Sequence, residues 1–264
     1  MTPEQLLAHH DQARPWPADA EPAPSGLDEA YRLQIAVRAL REARGERPRG
    51  FKIGFTNRGI WPRYQVFAPI WGTVWEGGLH ACEGQAQVPL TGTCEPRIEP
   101  ECVFGFRDAP PAAAGLEDLL ACIDWIAPGL EVVQSHRPAW RFTAADTVAD
   151  GGLHAALVVG RQCPLAQAGD PTSLAERLAS ASVILSSDGV EVERGRGANV
   201  LDGPVQALLY FVRELQARPG LPSLKAGDVV TTGTWTDAWP VRSGQVWTAS
   251  FDAPLSALEV RFTD

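Results

Sequence analysis

Apolar and polar residues are arranged in two different textures along this chain, and the change falls near residue 50. Residues 1–14 are polar, carry Glu4 and Asp11, and predict a short helix. Residues 15–26 (PWPADAEPAPSG) are rich in proline and alanine and predict a loop. From 27 to 44 the apolar positions Leu27, Ala30, Tyr31, Leu33, Ile35, Val37 and Leu40 are interleaved with charge, the pattern of an amphipathic helix. Ser25 is placed to cap its start, Asp28 and Glu29 suit its first turn, and Gly45 and Pro48 end it.

Beyond Gly50 the chain breaks into short apolar, β-branched or aromatic runs punctuated by Gly, Pro and Asp-Gly. They predict strands at 51–55, 70–75, 86–89, 98–106, 126–134, 153–160, 181–187, 190–194, 228–232, 245–251 and 257–262. The sharpest local signal is Asp188-Gly189 between two alternating runs, a hairpin. Helices are predicted at 116–123 and 204–216, where Pro204 suits a first turn. Helices first and then many irregular strands imply an α+β fold dominated by mixed or antiparallel sheet. Regular βαβ alternation is missing, which argues against a doubly wound sheet or a TIM barrel. The expected division is an N-terminal helical region with a lead-in strand, residues 1–75, and a β-rich core, residues 76–264.

Composition narrows the function. A chain of 264 residues, 45% hydrophobic, buries a sizeable core as one domain or one domain plus a small lobe. A formal charge of −9 argues against a nucleic-acid or anionic-membrane surface. Nothing approaches the roughly 18 apolar residues of a membrane span, and the polar first residues do not read as a secretory signal. The five cysteines, at 82, 94, 102, 122 and 163, are odd in number and lack Cys-x-x-Cys spacing. That pattern fits reduced thiols, mostly small core residues, in the cytoplasm.

Chemistry concentrates in the stretch from Glu95 through Arg97, Glu99 and Glu101 to Phe106. In an extended chain Glu99 and Glu101 share a face, and two like charges side by side call for a cation or a shared proton. Glu131 lies inside a second apolar run, where an acid is expensive to bury without a charged partner. Three converging carboxylates would make an all-oxygen site for a hard divalent ion. The alternative is a pair of surface residues on an edge strand, a position that Pro100 suits. Lys52, within Phe-Lys-Ile-Gly, either faces solvent or faces a pocket, where burial or a nearby cation lowers its pKa toward proton transfer. Gly54 permits close backbone approach. Thr232-Gly233-Thr234, ending a strand, is either an ordinary turn or a set of N–H and hydroxyl groups able to grip a carboxylate. His9, His10, His80, His136 and His154 show no metal-ligand spacing, and no Gly-x-Ser-x-Gly elbow is present.

Six motifs in order carry a resemblance: Phe51-Lys52-Ile53-Gly54, Ile98-Glu99-Pro100-Glu101, Leu130-Glu131-Val132-Val133, Asp146-Thr147-Val148-Ala149-Asp150, Val200-Leu201-Asp202-Gly203-Pro204, and Ala226-Gly227-Asp228 through Thr234. Together they resemble the 2-keto-4-pentenoate hydratase and 4-oxalocrotonate decarboxylase family, within the fumarylacetoacetate hydrolase superfamily, over residues 27–262. The resemblance implies a β-rich, barrel-like α+β core behind an N-terminal helical region. It implies Glu99, Glu101 and Glu131 as ligands of Mg²⁺ or Mn²⁺, Lys52 and Asp150 in the active site, and Gly54 with Thr232, Gly233 and Thr234 lining the substrate. It also implies a small 2-oxoacid or dienoate substrate and assembly into homo-oligomers. The activity expected first is hydration of a 2-hydroxy-2,4-dienoate. Acylpyruvate-type C–C hydrolysis and decarboxylation of a 2-oxo-3-enedioate stand behind it, and a protein that binds a 2-oxoacid without turnover is the reading from another class. Departures from the family pattern are Gln134-Ser135-His136, Gly151 after Ala149-Asp150, and an aromatic Gly233–Pro240 loop.

Overall fold

A computed structural model describes residues 1–17, 24–65, 67–218 and 220–264. In chain order its elements are α1 (Pro3–Asp11), α2 (Leu27–Ala43), β1 (Pro48–Gly54), α3 (Trp61–Tyr64), β2 (Ile70–Trp75), β3 (Leu79–Ala81), β4 (Gln85–Pro89), β5 (Arg97–Phe106) and α4 (Leu116–Ala121). They continue with β6 (Ile123–Val133), α5 (Ala144–Ala149), β7 (His154–Val159), β8 (Cys163–Pro164), α6 (Pro171–Ser180), β9 (Ser182–Ser187) and β10 (Val190–Arg196). The last are α7 (Pro204–Ala217), β11 (Val229–Thr231), β12 (Trp239–Pro240), β13 (Val246–Phe251) and β14 (Leu258–Thr263).

Every strand expected from the alternation is present. β3, β8 and β12 are additional, and at two or three residues they are too short to carry a period. Three helices are also additional. α5 and α3 are brief, but α6 carried a readable signal: Pro171 opens it, and Leu174 and Leu178 are buried on one side. The helix expected at 116–123 stops at Ala121, because Cys122 caps it and Ile123 already pairs with Phe106. Residues 18–23 of the expected loop lie outside the described residues. Ser25 does not cap α2. Gly26 holds that position, and the Ser25 N–H and hydroxyl both donate to Glu29 Oε2, at 2.8 and 2.7 Å. The hairpin joins β9 to β10, with φ of 50° at Asp188 and 80° at Gly189, both positive as a tight right-twisted hairpin requires.

Two mixed sheets make the body. The larger, nine-stranded sheet runs β2-β1-β11-β5-β6-β7-β3, with β12 added to β5 and β8 to β6; the smaller runs β10-β9-β13-β14-β4. β1 and β2 precede residue 76, so the large sheet draws strands from both sides of the division expected there. Val74 of β2 packs in one cluster with Leu157 and Val159 of β7, although four strands separate them in the sheet order. The sheet is therefore curled, and its two faces differ. Residues opposite one another across a ladder share a face. One such row is Gly72, Lys52, Thr231, Val103 and Ala127; another is Glu99, Glu131 and Leu157. These rows line the concave side. The convex side carries Phe51, Ile53, Ile98, Cys102, Phe104, Ile126, Leu130 and Val230 into the main core. Phe51 meets Phe211 of α7 there at 5.4 Å between ring centroids.

On the concave side the deep half is apolar, built from Val74, Val103, Ala127, Leu157, Val159 and Val229. The mouth carries Glu101 and Thr231, two residues from Val103 and Val229 on their strands, Glu99 and Glu131, four residues from Val103 and Ala127, and Lys52 of the neighbouring β1. Pro100 does not mark an edge, since β5 is central. Trp235 N–H donates to the Pro100 carbonyl at 3.0 Å. A strand residue's N and C=O point the same way, so the missing N–H of Pro100 faces the gap between β11 and β12, where no ladder bond is interrupted. Among the described residues no helix is long and apolar enough to cross a membrane. All five cysteines are free, and Cys94, Cys102 and Cys122 are buried.

Candidate metal centre

The register of β5 against β6 sets Glu99 directly opposite Glu131, with Glu101 opposite Gly129. Like charges directly opposite in a sheet repel, yet each of the three carboxylates offers an oxygen within 4.8 Å of the other two. Glu101 and Glu131 are fully buried, and Glu99 is half-buried at the cavity wall. The protein engages one oxygen on each buried acid. Thr231 Oγ1 donates to Glu101 Oε2, as does the Gly233 N–H at 2.6 Å. His154 Nδ1 lies 2.8 Å from Glu131 Oε1. The other oxygens, Glu101 Oε1 and Glu131 Oε2, have no hydrogen-bond partner among the described residues. Lys52 Nζ stands 3.3 Å from Glu131 Oε2, an ion pair without hydrogen-bond alignment. An all-oxygen donor set in which each buried acid has one oxygen clamped and one left without a hydrogen bond fits a hard divalent cation.

The electrostatics agree with an unneutralised cluster. Burial, against the pull of Lys52 and with the push of a neighbouring acid, raises Glu99 and Glu131 together to about 7. Burial and the charge of Glu131 hold Glu101 well above the usual carboxylate range. Lys52 moves the other way from the pocket-lysine expectation. Burial pulls it down, but Glu131, Glu99 and Glu101 outweigh burial and raise it, so it is a firm ammonium. Burial, with the charges of Lys52 and Arg41, lowers His154 to about 3 and keeps its ring neutral.

A cavity of about 250 Å³ opens onto this cluster. Lys52, Gly54, Glu99, Gly233 and Thr234 line it, together with Phe55, Ile60, Ile70, Arg97, Trp140, Phe142, Leu153 and Asp237. Gly54 keeps the wall flat beside the ammonium: a Cβ there would lie 3.2 Å from Ile70 Cγ1 and 3.6 Å from Lys52 Nζ. Gly233, at φ +102°, turns its N–H onto Glu101 where a Cβ would come 2.0 Å from Thr56 Oγ1. Thr232 is oriented differently from its neighbours. Its hydroxyl donates to the Cys102 carbonyl at 3.0 Å, on the core side of the sheet. Thr231, one residue earlier, is the hydroxyl that reaches Glu101.

Asp150 is not brought to this group. It follows α5, and its carboxylate is held by His136, with Oδ1 2.6 Å from Nδ1 and Oδ2 accepting from the backbone N–H at 2.9 Å. It lines a separate small cavity behind the cluster with Gln34, Arg38, Arg41, Thr73 and His154. None of the histidines has metal-ligand spacing in the sequence. His154 matters through Glu131 instead, and the only sequence sign was a histidine opening the apolar run Ala155–Val159.

A curled mixed sheet gathering carboxylates at its mouth defines the class of protein. The sequence model of the fumarylacetoacetate (FAA) hydrolase C-terminal family matches residues 83–262, and the chain belongs to that family. Among curated relatives, 2-hydroxyhexa-2,4-dienoate hydratase of Comamonas testosteroni is 29% identical over 90% of this chain and 87% of its own. The 2-keto-4-pentenoate hydratase of Burkholderia vietnamiensis is 30% identical over 89% of this chain and 86% of its own. The solved 4-oxalocrotonate decarboxylase from Pseudomonas putida G7, complexed with magnesium and adipate, superposes with a TM-score of 0.85. It is 27% identical, and the match covers 99% of this chain and 98% of that one.

Proposed function

We propose that this protein is a divalent-metal-dependent hydratase that adds water to a 2-hydroxy-2,4-dienoate, or its 2-keto tautomer, to give a 4-hydroxy-2-oxoacid. The observation that carries the reading is the half-clamped carboxylate trio beside Lys52 at the mouth of the cavity. Glu99, Glu101 and Glu131 would hold Mg²⁺ or Mn²⁺. When bound, the cation would supply Lewis-acid polarisation to the substrate's carboxylate and 2-oxygen. Lys52 presents its ammonium at the cavity floor, where it donates to the 2-oxygen as negative charge develops there. The Gly233 N–H and Thr231 hydroxyl fix Glu101 so that its free oxygen stays turned inward. Gly54, Gly233 and Thr234 form the wall against which the conjugated acid lies, and Phe55, Ile60, Trp140 and Phe142 exclude water from its tail. Asp150 acts at one remove by holding His136 beside the loop 151–153, whose Leu153 is part of the cavity wall.

The named hydratases among the relatives support water addition. A second reading, decarboxylation of a 2-oxo-3-enedioate, is favoured by the whole-chain match to the decarboxylase. It uses the same charge stabilisation without added water. Incubation of the Mg²⁺- or Mn²⁺-loaded protein with both substrate types, followed by mass spectrometry, separates them. Gain of one water supports the hydratase, loss of CO₂ installs the decarboxylase, and turnover undiminished in EDTA would overturn both.

A further inference from the structure

His154 has one nitrogen on the carboxylate cluster, and the residue also lines a different cavity. Its ring is almost fully buried. Nδ1 lies 2.8 Å from Glu131 Oε1, and when Glu131 is the ionised carboxylate that a cation requires it only accepts, so Nδ1 carries the proton and donates. Nε2 is then a bare acceptor, and it has no partner among the described residues. The same is true of Gln34 Oε1, whose amide nitrogen donates to the carbonyls of Trp71 and Val148 at 2.9 and 3.2 Å. Both residues line the small cavity behind the cluster. Two acceptors cannot bond each other at any distance. A water molecule, with two O–H groups, can donate to both, and about 40 Å³ of room exceeds the roughly 10–15 Å³ that one water needs.

We propose that His154 is the positioning residue of the metal centre, holding Glu131 by its outer oxygen through Nδ1–H. An ordered water in the rear cavity, donating to His154 Nε2 and Gln34 Oε1, locks the tautomer and ties α2 to the site. The β6–β7 ladder shows how the fold arranges this. Its register shifts between Val132 and Val133, bringing His154 opposite Val133 where an unbroken ladder would place Ala155. Bulges of this kind re-aim a side chain. With Glu131 Oε1 occupied, its second oxygen is the one left for a cation, so the hydrogen bond sets the carboxylate's rotation as well as its basicity. The proposal rests on the metal reading above.

The test is Mn²⁺ binding without substrate, by calorimetry and Mn²⁺ EPR, on wild type, His154→Leu and His154→Asn, with folding checked by circular dichroism. His154→Leu should weaken Mn²⁺ by about 10–100-fold and broaden its EPR signal, while His154→Asn, which keeps a donor, should restore most of the affinity. Wild type that binds no Mn²⁺ refutes the metal site itself. Wild type and His154→Leu binding equally well refute the positioning role and leave the site standing. If neither variant folds, long-range ¹H–¹⁵N spectra of the wild type decide: an Nδ1–H ring supports the assignment and an Nε2–H ring overturns it. A high-resolution crystal structure should show the water within hydrogen-bond reach of His154 Nε2 and Gln34 Oε1; a dry rear cavity would remove that half of the proposal.

Discussion

Two groups of buried acids lie close together in this molecule, and they are finished in different ways. Asp146 is nearly inaccessible, and the protein satisfies it completely. Arg137 donates to Oδ1 through Nε and Nη2, at 3.0 and 2.8 Å, and the Thr143 N–H and hydroxyl donate to Oδ2, at 2.8 and 2.9 Å. It closes the capping box of α5 while neutralising an arginine. Asp150, one turn on, is likewise occupied at both oxygens by His136. In the glutamate trio, by contrast, each buried acid has one oxygen clamped and one without a hydrogen bond, that of Glu131 facing only the Lys52 ammonium. A single ammonium stands against three carboxylates. The finished acids belong to the fold; the unfinished ones keep acceptor oxygens that the proposed cation would complete. That difference is visible in hydrogen-bond accounting and invisible in burial, since both groups are inside.

The comparison breaks or sharpens in several ways, the largest effect first. Glu101→Gln should lower turnover with Mg²⁺ or Mn²⁺ by about 10³-fold, equivalent to about 4 kcal/mol of lost transition-state stabilisation. The same variant without metal should melt no lower than wild type, because the Gln carbonyl can accept from Thr231 and Gly233 as the acid does and brings no charge into the buried cluster; a large fall in metal-free melting temperature would make Glu101 structural after all. Asp146→Asn should do the reverse. It breaks a buried ion pair and costs about 3–5 kcal/mol of stability by denaturant unfolding, while Mn²⁺ affinity in the folded fraction stays near wild type.

Metal itself should stabilise wild type by about 2.7 kcal/mol at a free concentration one hundred times its Kd. That rise should be missing in Glu101→Gln when both are followed by thermal shift. The pH response has a definite sign. Glu99 and Glu131 are raised to about 7 in the metal-free fold, so between about 4.5 and 7 the native state binds more protons than the unfolded chain. Metal-free stability contributed by this pair is therefore greatest at the acidic end of that window and lost as pH rises through it. Mn²⁺ affinity should run the opposite way, strengthening as those protons leave. Calorimetry at several pH values that found affinity flat from 5 to 8 would contradict the assignment.

The smallest effect is expected at Glu193 in the second sheet. Its Oε2 accepts from the Trp239 indole at 2.6 Å and from the Asp237 N–H at 3.1 Å, holding the Thr236–Ala238 side of the cavity. Glu193→Ala should raise KM a few-fold and leave kcat nearly unchanged. Equal falls in both would give the loop a part in the chemistry.

The chain's own pattern determined a good deal of this. Strict alternation through Ile98, Pro100 and Cys102 against Glu99 and Glu101 put two acids on one face before any strand was paired. Asp188-Gly189 placed a hairpin, and the apolar runs located every long strand. Local signals act over a few residues, so the sequence could specify these. They could not say that Glu99 faces Glu131, because that depends on the β5–β6 register across some thirty residues of intervening chain. Nor could they separate Thr231 from Thr232: adjacent strand residues point to opposite faces, and which face is concave is decided only when the sheet curls. Asp150 carried a familiar motif but is held on His136, away from the cluster. His154, with nothing in its spacing to mark it, is aimed at Glu131 by a shift in the β6–β7 register. Residue type and alternation selected which acids could meet. Long-range strand pairing decided which of them do, because only the closed sheet brings distant charges together and removes them from water.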